Sequence, residues 1–293
     1  MNFNELTNFI TGWMASLENN SIEPSSEHFA FDTPLVGCAS GADSLFPFFK
    51  KDIGPNFYWL PEEAFSFAFP EDGANAEELR VVAWILPQTE HTRRAHRRAK
   101  TMPSIEWSRV RKYGEMANVA LHKAVVAKLQ QEGIQACAPS QLSGWARHTS
   151  EKYGFASSWS ERHAAYACGL GTFGLSDGLI TSVGKAVRVG SVIVRAAFQP
   201  TPRPYTQHNE WCLYYAKGKC RACMERCPAG AISEAGHDKE KCKRYIRTVT
   251  SVHVEQEQLG FPVNSCGLCQ AKVPCEYRNP TKSLKKSSES PKV

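Results

Sequence analysis

The chain has 293 residues, 42% of them hydrophobic, which is enough for one large domain with a sizeable core and a smaller module. Of the formal net charge of +6, residues 278–293 contribute +4, with five Lys or Arg and one Glu. The remainder is therefore nearly neutral, unlike a general nucleic-acid-binding protein. No run approaches the roughly eighteen apolar residues of a membrane span, and the N-terminus MNFNELTNFI lacks a basic export segment. We expect a cytoplasmic protein without membrane contact.

The first elements are predicted from the spacing of apolar residues. Residues 3–18 carry them at helical intervals and predict an amphipathic helix. Loops rich in Pro, Gly and aromatic residues are expected from there to about residue 78. The run RVVAWIL at 80–86 is apolar and β-branched and stops at Pro87, which predicts a buried strand.

A basic stretch follows, with eight Lys or Arg against Glu106 alone between His91 and Lys112. It fits a solvated face or loop, and contact with a phosphate-bearing ligand is the alternative. Residues 114–132 then return to helical spacing, with a glycine placed to end the helix. A short strand, IQACA, is predicted after it.

The segment from Ser158 to Cys168 predicts a helix of about three turns, in which Ser158 and Glu161 could form a capping box. Residues 178–195 alternate or run apolar around glycines, which predicts two strands joined by a tight turn. Helices and strands in this order favour an α/β or α+β body over residues 1–200.

Residues 169–174, GLGTFG, match the GxGxxG fingerprint of dinucleotide-binding folds. The context does not fit, because a helix rather than a strand precedes the match and no Asp or Glu follows between Gly178 and Asn209. We therefore do not expect a nicotinamide site. The glycines indicate either a tight turn with positive φ or a backbone close to something bulky, and the sequence leaves both open.

The cysteines separate into two populations. Three of the eleven, Cys38, Cys137 and Cys168, are scattered and are expected to be small buried apolar side chains. The other eight crowd into 64 residues and are candidate metal ligands: Cys212, Cys220, Cys223, Cys227, Cys242, Cys266, Cys269 and Cys275. Eight thiolates are what two 4Fe-4S clusters require.

The run CRACMERCP at 220–228 is the strongest signal, because bacterial ferredoxin runs end C-x2-C-x3-C-P and their last cysteine ligates the other cluster. On this pattern one cluster takes Cys227, Cys242, Cys266 and Cys269, and the other takes Cys212, Cys220, Cys223 and Cys275. A zinc ribbon is the alternative, but the 42 residues between its two CxxC pairs exceed the usual spacing of about 15 to 20. Residues 201–280 are thus predicted to form a ferredoxin-like module, followed by a disordered basic tail at 281–293.

Residues 160–174, SERHAAYACGLGTFG, the following LIT and the paired cysteine groups resemble the epoxyqueuosine reductases and their relatives, the reductive dehalogenases. The resemblance covers about residues 80–280. It implies a cobalamin-binding body fused to a two-cluster ferredoxin module, with electrons passing through the clusters to cobalt. It also implies that Gly169, Gly171 and Gly174 contact the corrinoid.

A reaction at cobalt would need a proton donor, and Tyr113, His148 and His163 are the candidates in this region, with Tyr113 and His163 carried forward. Lys185 and Arg188 offer an electrostatic alternative, although each is expected to be an exposed strand charge.

The chain also departs from the family pattern. Leu175 stands where the family has Lys or Arg, and residues 154–158 contain no counterpart of the expected aspartate, so epoxyqueuosine is not the expected substrate. No helical-repeat extension follows the cysteines, and tRNA is not an expected partner.

The ligand pattern departs as well. Lys217 replaces the first cysteine of the fourfold run, which leaves Cys212 as the nearby substitute. Five residues rather than three separate Cys269 from Cys275.

Two functions remain open at this point. The first is an iron-sulfur oxidoreductase that passes electrons to a bound corrinoid for reduction of an unknown small molecule. The second is an electron carrier or reductive activator that docks a partner protein and binds no corrinoid. Both would take electrons from a redox partner such as ferredoxin or flavodoxin. An RNA-binding role for the basic stretch and the tail is a third alternative.

Overall fold

The computed structural model describes residues 1–282. They contain the following strands: β1 (Leu35–Ser40), β2 (Leu79–Pro87), β3 (Ala136–Cys137), β4 (Arg147–Ser150), β5 (Gly154–Ser157), β6 (Gly171–Phe173), β7 (Leu179–Thr181), β8 (Val187–Arg195), β9 (Ile232–Ser233) and β10 (Gly236–His237). A central sheet has the order β1-β2-β8-β3 with every neighbouring pair antiparallel. Three two-stranded ribbons, β4-β5, β6-β7 and β9-β10, surround it.

Helices cover both faces of the central sheet. They are α1 (Phe3–Met14), α2 (Leu17–Asn20), α3 (Leu45–Ile53), α4 (Pro61–Ala68), α5 (Glu90–Arg98), α6 (Ile105–Gln131), α7 (Glu161–Ala167), α8 (Leu213–Lys217), α9 (Ala222–Glu225), α10 (Lys239–Tyr245) and α11 (Ser251–Val254). Short π-helical segments, Ile246–Thr250 and Glu255–Leu259, flank α11. No helix in residues 1–282 has the length and apolar character needed to cross a bilayer.

The sheet separates two apolar cores because side chains alternate along β2. Val81 and Ile85 face a core built with α3, α4 and α7, and this core extends to the cysteine-rich segment. Val82 and Leu86 face a second core built with α1 and α6. Every residue of β2 except Arg80 is buried. Because both faces of this strand are covered, its sequence is a continuous apolar run of the kind typical of parallel sheets, although its pairing is antiparallel.

Several predicted elements are confirmed. The opening helix forms at 3–14, and the strand predicted at 80–86 is β2. The helix predicted at 114–132 begins earlier, at Ile105, because the Ser104 hydroxyl accepts a bond from the Trp107 N–H and caps it there.

The expectation of loops up to residue 78 was wrong. That region contains β1, which pairs with β2 throughout its length, and the helices α3 and α4. The basic stretch, expected to be a solvated face or loop, contains α5 and the first turns of α6. Aromatic residues interrupted by Pro and Gly weakened the periodic signal, and burial of Phe46 and Phe65 in the first core stabilises the two missed helices.

The predicted capping box at Ser158 was wrong too. The Ser158 hydroxyl instead accepts the Ala146 N–H and bonds His148 in the β4-β5 ribbon, and α7 begins at Glu161. The Glu161 carboxylate accepts the Ser191 hydroxyl, which ties α7 to β8.

The two strands predicted within 178–195 form as β7 and β8, with a turn at Thr181–Gly184. They do not form a hairpin ladder, because β7 pairs with β6 while β8 pairs with β2 and β3. The antiparallel central sheet makes the body α+β rather than α/β. The predicted tail, residues 281–293, lies outside the described residues from 283 onward.

Candidate iron-sulfur centres

The cysteine-rich segment places its thiols on short elements. Cys212 directly precedes α8, Cys223 lies on α9 and Cys242 lies on α10. The Asp238 carboxylate accepts the Lys241 N–H at 2.8 Å and begins α10. Short helices joined by turns bring cysteines that are distant in sequence into one region.

Four thiols form a first group: Cys212, Cys220, Cys223 and Cys275. The Cys275 thiol interacts electrostatically with those of Cys212 and Cys220, and the Cys223 thiol interacts with that of Cys269 outside this group and with those of Cys275 and Cys212 within it. Burial, reinforced by these neighbours, raises the pKa of Cys223 to about 11 and raises that of Cys275 as well.

Four other thiols form a second group: Cys227, Cys242, Cys266 and Cys269. Every pair within this group interacts electrostatically. Burial raises the pKa of Cys242 to about 11 and that of Cys266 to about 12. The Cys227 sulfur also accepts the Ala231 N–H at 3.3 Å.

The three scattered cysteines lie apart from both groups, in the apolar cores, as predicted. The Cys168 thiol donates to the Val81 carbonyl at 3.2 Å, and the Cys137 thiol donates to the Ala64 carbonyl at 3.9 Å. Burial raises the pKa of Cys38 and of Cys137 to about 12. These thiols are neutral packing groups.

Zinc is the alternative metal for these cysteines. A tetrahedral zinc ion with bonds of about 2.3 Å holds its thiolates about 4 Å apart. Among residues 1–282, no three His, Cys, Asp or Glu side chains converge closely enough to hold a single metal ion.

Lys185 lies where the two groups meet. It was expected to be an exposed strand charge, and that expectation was wrong, because the residue is only 3% exposed. Burial opposes its charge, but the thiols of Cys275, Cys269, Cys223 and Cys212 outweigh this effect and raise the pKa of Lys185. Cys275, Cys223 and Cys212 belong to the first group and Cys269 belongs to the second, so Lys185 lies near both groups.

A cluster of buried side chains supports the second group. The imidazole of His96 stacks on Trp107 at 4.1 Å between ring centroids, and burial lowers its pKa to about 3. Gly267, the glycine of the CGLC run, has a φ of +68°, and a Cβ there would lie 2.2 Å from the Trp107 ring. Arg226 donates to the carbonyls of Leu268 and Ala271. The loop that carries Cys266 and Cys269 is therefore fixed from several sides.

The glycines expected to contact a corrinoid face this chain's own atoms. A Cβ on Gly169, whose φ is +79°, would lie 2.8 Å from the Pro202 carbonyl oxygen, and one on Gly171 would lie 2.4 Å from that of Ile180. Gly174 packs against the Ile180 side chain. Both explanations left open by the sequence therefore apply, with positive φ at Gly169 and close backbone approach at Gly169 and Gly171, and the corrinoid contact stays a prediction.

The two candidate proton donors lie on different faces of the sheet. Tyr113 is on α6, which packs in the second core, whereas His163 is on α7, which packs in the first. His163 is surrounded by Phe49, Tyr58 and Phe173. Burial lowers the pKa of His163 to about 3, so the ring is neutral near pH 7 and holds no extra proton to donate.

The arginines at the start of the basic stretch form ion pairs within the protein. Arg97 bonds the buried carboxylate of Glu276 and the carboxylate of Glu90, and Arg93 reaches the same two acids. An open recess of about 470 Å³ lies beside these side chains. Helix α5 is thereby tied to the segment that follows Cys275.

No protein-family model matches the chain, and no curated protein matches it either. Solved structures are similar in fold. A catabolic reductive dehalogenase in complex with 3-bromo-4-hydroxybenzoic acid matches 99% of this chain and 38% of its own at 15% identity, with a TM-score of 0.53. The structure "Reductive dehalogenase structure suggests a mechanism for B12-dependent dehalogenation" matches 99% of this chain and 39% of the dehalogenase chain. The sequence identity is 16% and the TM-score is 0.52.

The chain shares its fold with the reductive dehalogenases. An epoxyqueuosine reductase also matches 93% of this chain at 15% identity, with a TM-score of 0.49. This chain spans 65% of that protein and less than half of the dehalogenases. The similarity covers the dehalogenase-like body and the cysteine-rich segment alike.

Proposed function

We propose that this protein is an iron-sulfur oxidoreductase that moves single electrons through two 4Fe-4S clusters. The observation that carries the proposal is the grouping of eight thiols into two sets of four around a buried ammonium. Four thiolates are the ligand set of each such cluster. The reductive-dehalogenase fold of the whole chain agrees with redox chemistry as the activity.

The residues fit a negatively charged inorganic group. A buried ammonium without a negative partner is strongly unfavourable, and within residues 1–282 no carboxylate lies within 4.0 Å of Lys185. The Lys185 ammonium donates a hydrogen bond to the neutral Ser176 hydroxyl at 3.0 Å. An anionic cluster beside it would supply the missing negative charge, and bound clusters would supply one-electron transfer.

In this function one thiol group would receive electrons and the other would deliver them. Three thiols of the first group, those of Cys212, Cys223 and Cys275, lie within the first core and are shielded from water, whereas Cys220 is half-buried. Cys242 and Cys266 of the second group are half-exposed. We assign electron entry to the second group and delivery to the first, which adjoins the body.

The surface beside Cys242 suits an acidic electron carrier such as ferredoxin or flavodoxin. Lys239 and Lys243 of α10 lie over the half-exposed rings of Tyr153 and Phe155, at 5.4 and 5.1 Å. Exposed lysines accelerate the encounter with an acidic protein, and complexes between redox proteins need only a small contact area. We call this surface the entry face.

Delivery to a bound corrinoid is the second candidate function, and the similarity to a structure whose title names B12-dependent dehalogenation favours it. In that function the loop with Gly169, Gly171 and Gly174 would contact the corrinoid. An electron carrier that reduces a partner protein needs no such site.

Electron paramagnetic resonance of anaerobically purified, dithionite-reduced protein tests the proposal. Two 4Fe-4S clusters predict the broadened, split signal of two interacting paramagnets. Protein that contains iron and yields no cluster signal would rule the proposal out. Cobalt analysis of protein from cobalamin-fed cells separates the two candidates: stoichiometric cobalt supports the corrinoid-dependent reductase, and its absence supports the electron carrier.

A further inference from the structure

Lys185 is the buried lysine among those of residues 1–282, and both its backbone and its ammonium have hydrogen-bond partners. The backbone N–H of Lys185 donates to the Cys275 carbonyl at 2.8 Å, and the N–H of Ala186 donates to that of Glu276 at 3.1 Å. The lysine is therefore attached directly to the segment that carries the last thiol.

Gly184 makes this attachment possible. Its φ is +89°, and a Cβ there would lie 2.2 Å from the Glu276 carbonyl oxygen and 2.4 Å from the Cα of Tyr277. Thr181 closes the turn, because its hydroxyl donates to the Gly184 carbonyl at 2.7 Å. The backbone that precedes Lys185 thus has a single conformation compatible with the position of Cys275.

The side chain then runs across the body to the junction of the thiol groups. Its Cδ lies 3.5 Å from the position of a Cβ on Gly178, and its ammonium donates to the Ser176 hydroxyl at 3.0 Å. The thiols that interact with this ammonium are Cys275, Cys223 and Cys212 of the first group and Cys269 of the second. Cys223 and Cys269 also interact with each other, so the ammonium lies at the point where the groups approach.

We propose that Lys185 is a shared counter-charge that raises the reduction potentials of both clusters together. This inference rests on the proposed function. A 4Fe-4S core with four thiolates carries a net charge of about −2 when oxidised, and about −3 after it accepts one electron. A fixed cation at low dielectric stabilises the more negative state more strongly, so it favours the reduced form of each cluster.

The position also couples the two clusters. Reduction of one adds negative charge beside the other and makes its reduction harder, and a cation between them offsets part of that repulsion. Lys185 is a positioning residue in this scheme, since it acts on the clusters through its charge and does not ligate them.

The test compares Lys185→Met, which removes the charge at similar volume, with Lys185→Arg, which keeps it. Lys243→Met is the matched control, because Lys243 adjoins Cys242 in sequence but its side chain is 33% exposed and solvent screens its charge. Midpoint potentials of both clusters are measured by redox titration followed by electron paramagnetic resonance, with iron counted in each sample. The full-length chain is used throughout.

We expect both midpoint potentials to move in the negative direction in Lys185→Met, to stay near wild type in Lys185→Arg, and to move less in Lys243→Met. Unchanged potentials in Lys185→Met, or a shift in one cluster alone, would overturn the shared role. Loss of iron from Lys185→Met with full iron in Lys185→Arg supports the role of the charge. Equal loss from both contradicts it. Wild-type protein without iron would instead refute the proposed function, and the two failures are thereby distinguishable.

Discussion

The cysteines of the body and those of the cysteine-rich segment differ in what surrounds their thiols. Burial raises the pKa of Cys137 in the body and of Cys266 in the segment to about 12 in each case. The Cys137 thiol meets a backbone carbonyl and apolar side chains, whereas the Cys266 thiol meets three other thiols. Convergence of thiols, rather than burial or a raised pKa, therefore marks a candidate ligand.

The largest expected effect separates these two populations of cysteine. Replacing Cys227 by Ala removes one ligand of the second group, and we expect iron to fall from about eight to about four atoms per chain. Cys137→Ala is the control and should keep its iron, at a cost of about 1 kcal/mol in stability for the small cavity. Iron analysis of anaerobic samples measures both. Equal iron loss in the two variants would remove the distinction.

The next effect compares two glycines with positive φ. Gly184→Ala should destabilise the protein by about 3 kcal/mol or more, because its Cβ would lie 2.2 Å from the Glu276 carbonyl oxygen. Gly133, at the end of α6, has a φ of +72° and nothing within 4 Å of such a Cβ, so Gly133→Ala should cost about 1 kcal/mol.

Thermal unfolding of the two glycine variants provides the measurement. A drop in melting temperature for Gly184→Ala no larger than that for Gly133→Ala would show that the segment after Cys275 is not held closely against the body.

A third comparison concerns exposed lysines. Lys243→Glu reverses a charge on the entry face and should slow reduction by an acidic carrier about tenfold at low ionic strength. Lys128→Glu is the control, since Lys128 lies on α6, on the opposite face of the sheet from α7, and pairs with Glu132 at 2.6 Å. Stopped-flow reduction by reduced flavodoxin, with added salt, compares them. Similar slowing in both variants would place the entry face elsewhere.

The smallest effect is a pH dependence that arises in the body. Burial lowers the pKa of His163 to about 3, below its value of about 6.5 in the unfolded chain. The folded state therefore binds fewer protons between these values, and the stability present above pH 6.5 is lost as pH falls.

Between pH 7 and 5.5 the expected loss of stability from His163 is about 1 kcal/mol. His163→Phe keeps the aromatic packing and should show a smaller drop in melting temperature over that range than wild type does. An unchanged drop would mean that His163 is protonated in the folded protein.

The sequence predicted those features that depend on local pattern. β2 is a continuous apolar run ended by Pro87, and the cysteine spacing of a ferredoxin run predicts two groups of four thiols, a division that stays a prediction. Whether those groups hold iron stays a prediction. The substitution of Cys212 for the missing first cysteine agrees with its position beside Cys275.

Features that depend on tertiary contacts were not predictable. Lys185 follows Gly184 in a strand-like run where alternation predicts exposure, and only the approach of the Cys275–Tyr277 backbone buries it. The glycines at 169–174 match a ligand loop by motif, and the close approach of Gly169 to Pro202 and of Gly171 to Ile180 arises only in the folded chain. His163 was a plausible acid by residue type, and the aromatic side chains that desolvate it come from distant parts of the chain.

The central claim is that the two thiol groups hold two cubane clusters, and an iron, zinc and acid-labile sulfide count on anaerobically purified protein tests it most directly. We predict about eight iron and eight sulfide per chain with no stoichiometric zinc. Stoichiometric zinc with little iron or sulfide, in protein expressed with ample iron, would contradict it.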